Sequence, residues 1–164
     1  MRQRGFTLIE VLIVVTVIAI IAAIAIPNLL LAIQRAKQKR AMGELRGMAT
    51  AALSYATDTN HAPLGSTTWT DTDVVPELIE LAPYYIKQMP NPDPWNTKYQ
   101  YASTSLGTDF AFRSLGMDSL SDAVSSFGAL VNDPPAYTQC LENDIIWVNG
   151  GFAVWPEAKQ KKCY

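Results

Sequence analysis

From Val11 to Ile26 no side chain is more polar than Thr16. With Phe6 to Ile9 in front, the apolar run approaches the roughly 20 residues a helix needs to cross a bilayer. One acid, Glu10, interrupts it near its start. A carboxylate at the centre of an inserted helix costs on the order of 2.5 to 3.5 kcal/mol, so an intramembrane Glu is a functional residue awaiting a partner. The cations that precede it, Arg2 and Arg4, lie beyond Gly5, a small residue after which a peptidase can cut. A cut there would leave a new amine on Phe6 as the missing charge.

The hexapeptide GFTLIE, residues 5–10, resembles the processing site of type IV prepilins and type II secretion pseudopilins. The resemblance implies that a prepilin peptidase cleaves after Gly5 and methylates the Phe6 amine. It also implies that Glu10 of one subunit pairs with the amine of a neighbour as a filament assembles. The expected organisation is a cleaved leader at 1–5, a hydrophobic transmembrane and filament-core helix at 6–33, and a periplasmic globular domain at 34–164 that includes the second half of the helix. The implied partners are identical subunits in a homopolymer, minor pilins or pseudopilins, the prepilin peptidase, an inner-membrane assembly platform and membrane lipid.

Two other readings of the same residues stay open. An ordinary secretory signal also has a basic start and an apolar core, and Ala23-Ile24-Ala25 would serve as its small-x-small site, although a long core opening with an acid is unusual for one. A plain single-pass anchor would let Glu10 snorkel to the interface. Charge does not orient the segment, since Arg2 and Arg4 precede it while Arg35, Lys37, Lys39 and Arg40 follow. Orientation rests on the resemblance.

The 164 residues suffice for one membrane helix and one modest core. The 13 basic residues face 15 acidic ones; without Arg2 and Arg4, 11 basic residues remain. That balance is not one for binding nucleic acid. Cys140 and Cys163 would meet an oxidising compartment if the chain crosses a bacterial inner membrane, and a disulfide between them is expected there. Closing that loop constrains the unfolded chain by roughly 3 kcal/mol.

Pro27 removes a backbone donor from continuing helix, which predicts a kink or local opening. Beyond Gln34 the helix turns amphipathic: Leu45, Met48, Ala49, Ala52, Leu53 and Ala56 recur on one face, which should pack on a sheet. Gly43 and Gly47 form a small-xxx-small pair, read equally as an approach site for another helix or as two tolerated glycines. Asp58, Thr59, Asn60 and Pro63 end the helix near Thr57. A short helix over Val75 to Leu81 begins at Pro76. Pro90, Pro92 and Pro94 enforce a turn-rich path before strands at Lys98 to Ala102 and Asp109 to Leu115, an antiparallel hairpin. A second hairpin, Asp144 to Val148 and Phe152 to Trp155, turns on Asn149-Gly150-Gly151, and Pro156 is expected to end it. The fold class is therefore α+β and pilin-like: one long N-terminal helix on a four-stranded antiparallel sheet.

The stretches DPW, YQY and FAFRSLGMD resemble the major pseudopilin of type II secretion more than an adhesive pilin, whereas the long loop at 119–143 and the cysteine pair resemble type IV pilins. In the pseudopilin family an aspartate after SLG and another before a later strand help to hold calcium. By position these are Asp118 and Asp144, which would need backbone carbonyls or Asp122, Asp133 or Glu142 to reach the six to eight oxygens calcium takes. The plainer reading is aspartates that cap turns. No phosphate-loop, dinucleotide, CxxC or GxSxG motif appears, and His61 sits in a polar stretch without a motif around it. The expected function is a structural subunit of a type IV-type filament, a type II secretion pseudopilin first and a surface-pilus pilin second, and not an enzyme.

Overall fold

A computed structural model describes residues 6–122, 126–132, 136–161 and 163. It divides into two compact units between Gln34 and Arg35. The first helix, α1 (Leu8–Thr59), contributes to both.

In the first unit nearly every side chain of α1 is exposed, from Leu8 at 88% to Ile33 at 44%. The polar groups among them turn back on the helix. Thr16 Oγ1 donates to the Ile13 carbonyl at 2.8 Å, and Asn28 Nδ2 to the Ile24 carbonyl at 3.2 Å. Such self-satisfaction is what a helix in hydrocarbon requires, where no water can take up a stray donor. The helix assignment is continuous through Pro27, whose missing N–H leaves the Ala23 carbonyl without its usual helical partner.

In the second unit one face of α1 is fully covered: Ala41, Leu45, Met48, Ala49 and Ala52 each have no exposed surface. Leu53, expected on that face, is 39% exposed, while Tyr55 and Ala56 beyond it still pack against the core, so Leu53 lies off the covered face. Asn60 ends α1 with φ +66°, its N–H bonded to the Ala56 carbonyl at 2.9 Å. Asn takes the place that glycine often fills, since its short side chain tolerates the left-handed region.

The sheet departs from the expected four antiparallel strands. It has six, β1 (Thr70–Asp71), β2 (Gln100–Ser103), β3 (Phe110–Ser114), β4 (Ala136–Cys140), β5 (Ile145–Val148) and β6 (Gly151–Lys161). Their order is β1-β2-β3-β5-β6-β4, and the β4–β6 pair is parallel while the other pairs are antiparallel. β1 is two residues long and lies in what reads as a polar loop. β4 lies in the long irregular stretch and pairs with the second strand of the next hairpin. Neither carries the turn-flanked alternation that marks a hairpin.

Pro156 does not end the last strand either. The β5 side of β6 is used only up to Val154, and Pro156 stands opposite Thr138 of β4. A proline lacks a ladder donor and is tolerated at such a position. The turn between β5 and β6 is as expected, with Asn149 at φ +43° and Gly150 at +113°.

Two short helices complete the domain, α2 (Pro76–Glu80) and α3 (Phe127–Asn132). Tyr101, Phe110, Phe112, Ile145 and Trp147 pack into the cluster with α1, whereas Ala102 and Ala111 pack with Phe127 of α3 and with Trp69. Alternate residues thus face different layers, which is why every residue of β3 is buried.

Candidate functional site

Two places carry the candidate residues, one in each unit. In the first, Gly5, Arg2 and Arg4 lie outside the described residues, while Phe6 is 81% exposed just before α1. Glu10 does not stand alone there. Its Oε2 accepts from the Thr7 backbone N–H at 2.9 Å and from Thr7 Oγ1 at 2.7 Å, and its own N–H donates to Thr7 Oγ1 at 3.3 Å. This is a reciprocal capping box, which satisfies the first donors of α1 and holds the carboxylate toward the N-terminal end. Thr7 is absent from the sequence expectations, although the Thr-x-x-Glu spacing announces it. Around these residues Leu8, Val11, Leu12 and Val15 form an apolar surface. The arrangement presents one negative charge, already hydrogen-bonded, on an otherwise apolar rod.

In the second unit, Asp118 and Asp144 are not brought onto one another. Asp118 Oδ1 accepts from the Leu120 N–H at 3.0 Å, an Asx turn. Asp144 is 1% exposed, and its Oδ2 lies 3.4 Å from Nη1 of Arg113 and 3.3 Å from the Asp122 N–H. Asp122 returns the bond, accepting from the Asp144 N–H at 2.9 Å. Glu142 accepts from the Cys163 N–H at 2.9 Å, and Asp133 lies outside the described residues. Gly116, at φ +70°, lets the turn after β3 pass against the Glu142 and Asn143 carbonyls, where a Cβ would collide.

Among the described residues no three His, Cys, Asp or Glu side chains converge as a metal-ligand group. The described carboxylates that calcium would need, Asp118, Asp122, Glu142 and Asp144, hold backbone N–H groups and a guanidinium, a donor set that does not fit that ion. Burial lowers the Arg113 pKa while Asp144 and Asp122 oppose the shift, so the side chain is a fixed cation sustained by acids.

Cys140, at the end of β4, and Cys163 form a disulfide with Cα atoms 5.4 Å apart. His61 lies in the loop after α1, its Nδ1 3.0 Å from the Ala62 carbonyl and its ring edge-on to Tyr55. One buried carboxylate had no place among the sequence candidates: Asp93, in the PNPDPW stretch. It accepts from the Trp95 and Thr97 N–H groups and from the Ser114 hydroxyl at 2.7 Å, tying the proline-rich turn to the end of β3. The Asp-Pro step between turn residues is the signal for it.

Comparison with known proteins gives two family matches. The family described as "Prokaryotic N-terminal methylation motif" matches residues 1–26, and "Type II secretion system (T2SS), protein G" matches residues 28–133. Type II secretion system core protein G of Aeromonas hydrophila is 32% identical over 125 residues, 71% of this chain and 85% of the relative. The protein of the same name from Vibrio cholerae is 34% identical over 106 residues, 62% of this chain and 72% of the relative. The type IV major pilin protein PilA of Myxococcus xanthus is 52% identical, but over 54 residues, 33% of this chain and 24% of the relative. No solved structure matches. With a methylation motif, an apolar first helix and the protein G profile across most of its length, the chain belongs to the type II secretion system protein G family, the major pseudopilins.

Proposed function

We propose that the chain is made as a single-pass precursor in the bacterial inner membrane, cleaved after Gly5, methylated on Phe6 and polymerised through residues 6–33 into a periplasmic pseudopilus that drives protein export. The observation that carries this reading is the exposed apolar surface of residues 6–33, with Glu10 as the single acid in that stretch. Packing many such helices removes that surface from lipid at no loss of backbone hydrogen bonds. Pairing of Glu10 with a neighbour's Phe6 amine sets the axial register, because any other alignment leaves a charge buried and unpaired.

In the isolated chain Thr7 stands in for that amine, holding the carboxylate until a subunit arrives. Minor pseudopilins, the prepilin peptidase and an assembly platform complete the machine on this reading, with residues 34–164 in the periplasm. The surface-pilus alternative draws on the PilA match, which covers only a third of the chain.

The test is Glu10→Ala in the native membrane, with the N-terminus read by mass spectrometry. The expected result is a folded, processed subunit starting at methylated Phe6 that no longer enters filaments. Normal filaments from the variant would remove the role of Glu10. A wild-type chain starting at Ile26 would show a conventional signal instead, and long surface fibres from the native locus would favour a pilus.

A further inference from the structure

Arg113 is 4% exposed as the penultimate residue of β3, an unusual place for a guanidinium. Partners come to it from four different parts of the domain. Nε and Nη2 both donate to Gln100 Oε1 on β2, Nη1 donates to Ser121 Oγ at 2.8 Å, and the same Nη1 reaches Asp144 Oδ2 at 3.4 Å. Its carbon centre stands 4.5 Å from the centroid of the Trp69 ring, which is itself edge-on to Phe127 of α3. A planar, permanently charged fork suits such a site, where a point charge would serve fewer partners. The loop at 65–73 thus supplies the aromatic lid of this cation.

We propose that Arg113 is the built-in cation of this corner. It locks the segments around Ser121 and Asp144 to the sheet, so the folded domain neither needs nor selects calcium. The positive charge that Asp144 requires is covalently part of the chain, and Asp122 is committed to the Asp144 N–H. A calcium ion would have to displace the guanidinium from a buried carboxylate and gather Asp118 from its own turn.

The experiment is a thermal melt of the full chain in detergent, with calcium chloride, with magnesium chloride, and after chelation. Coincident melting temperatures in all three are expected; a rise with calcium that magnesium does not reproduce would overturn the proposal. A double-mutant cycle supplies the second arm. Arg113→Met and Asp144→Asn should each lower the melting temperature, and the double variant should lose clearly less than the sum of the two. Strictly additive losses would also overturn it. Where a single variant fails to fold, the calcium comparison on the wild-type chain still decides.

Discussion

Tyr99 donates its phenolic hydrogen to Glu44 Oε2 at 2.6 Å, joining the start of β2 to α1 across the core. The other oxygen of the same carboxylate accepts from Arg40 Nε at 2.7 Å, one turn back along the helix. Tyr99 has no exposed surface, whereas Arg40 is largely in water, so the two bonds differ in weight. Tyr99→Phe keeps the ring and deletes only the inner bond. The expected loss is about 1.5 kcal/mol, the low end for a bond to a charged acceptor because Arg40 still serves Glu44. That corresponds to roughly 3 to 6 °C in the melting temperature. A melt of the full chain in detergent checks it, and an unchanged value would mean that the bond contributes nothing net.

Alkaline pH should unfold the domain from the same place. Burial, and then the bond to Glu44, raises the Tyr99 pKa, and burial raises that of Tyr101. Both phenols ionise near about 10 in the unfolded chain and stay protonated above that in the folded one. Above about pH 10 the folded state therefore binds more protons than the unfolded state, and stability falls as pH rises. The expected slope is about 1.4 kcal/mol per pH unit for each phenol, with no contribution from either at neutral pH. Denaturation midpoints measured from pH 8 to 11 test this, and the fall should be shallower in Tyr99→Phe.

Gly43 and Gly47 have open space where a side chain would begin. Nothing among the described residues explains them, and glycine within a helix costs about 0.5 to 1 kcal/mol relative to alanine. Gly43→Ala and Gly47→Ala should therefore each raise the melting temperature of the unassembled subunit, by roughly 1 to 4 °C. A fall in either variant would show that the isolated domain uses the glycine. Loss of filaments from a stabilised variant would locate the use between subunits.

How legible these features were in the sequence depended on how local their cause is. The helix end at Asn60 and the turn at Asn149-Gly150 come from residues that tolerate positive φ, and both are readable from neighbours alone. Glu10 is conspicuous because everything after it for more than a turn is apolar. β4 was hidden because its partner is β6, a parallel pairing across an intervening strand that leaves no turn signature. The Asp144 partner was hidden for a similar reason: Arg113 is 31 residues away in sequence and looks like an outward-facing residue of an alternating strand. Trp69, which stacks on Arg113, and Phe127 of α3 cover the second face of the sheet and make that position interior.

The strand order has a consequence in time. β4 precedes β5 and β6 along the chain, yet in the finished sheet it lies beyond β6, which is the last strand made. A chain made from its N-terminus can zip β2, β3 and β5 together as each is made, but residues 136–140 must wait for residues 151–161. Sheet closure is therefore a terminal event, and Cys163 then fastens the latecomer to Cys140. A subunit cut short before Gly151 would keep most of its core and still leave β4 without the strand it pairs with.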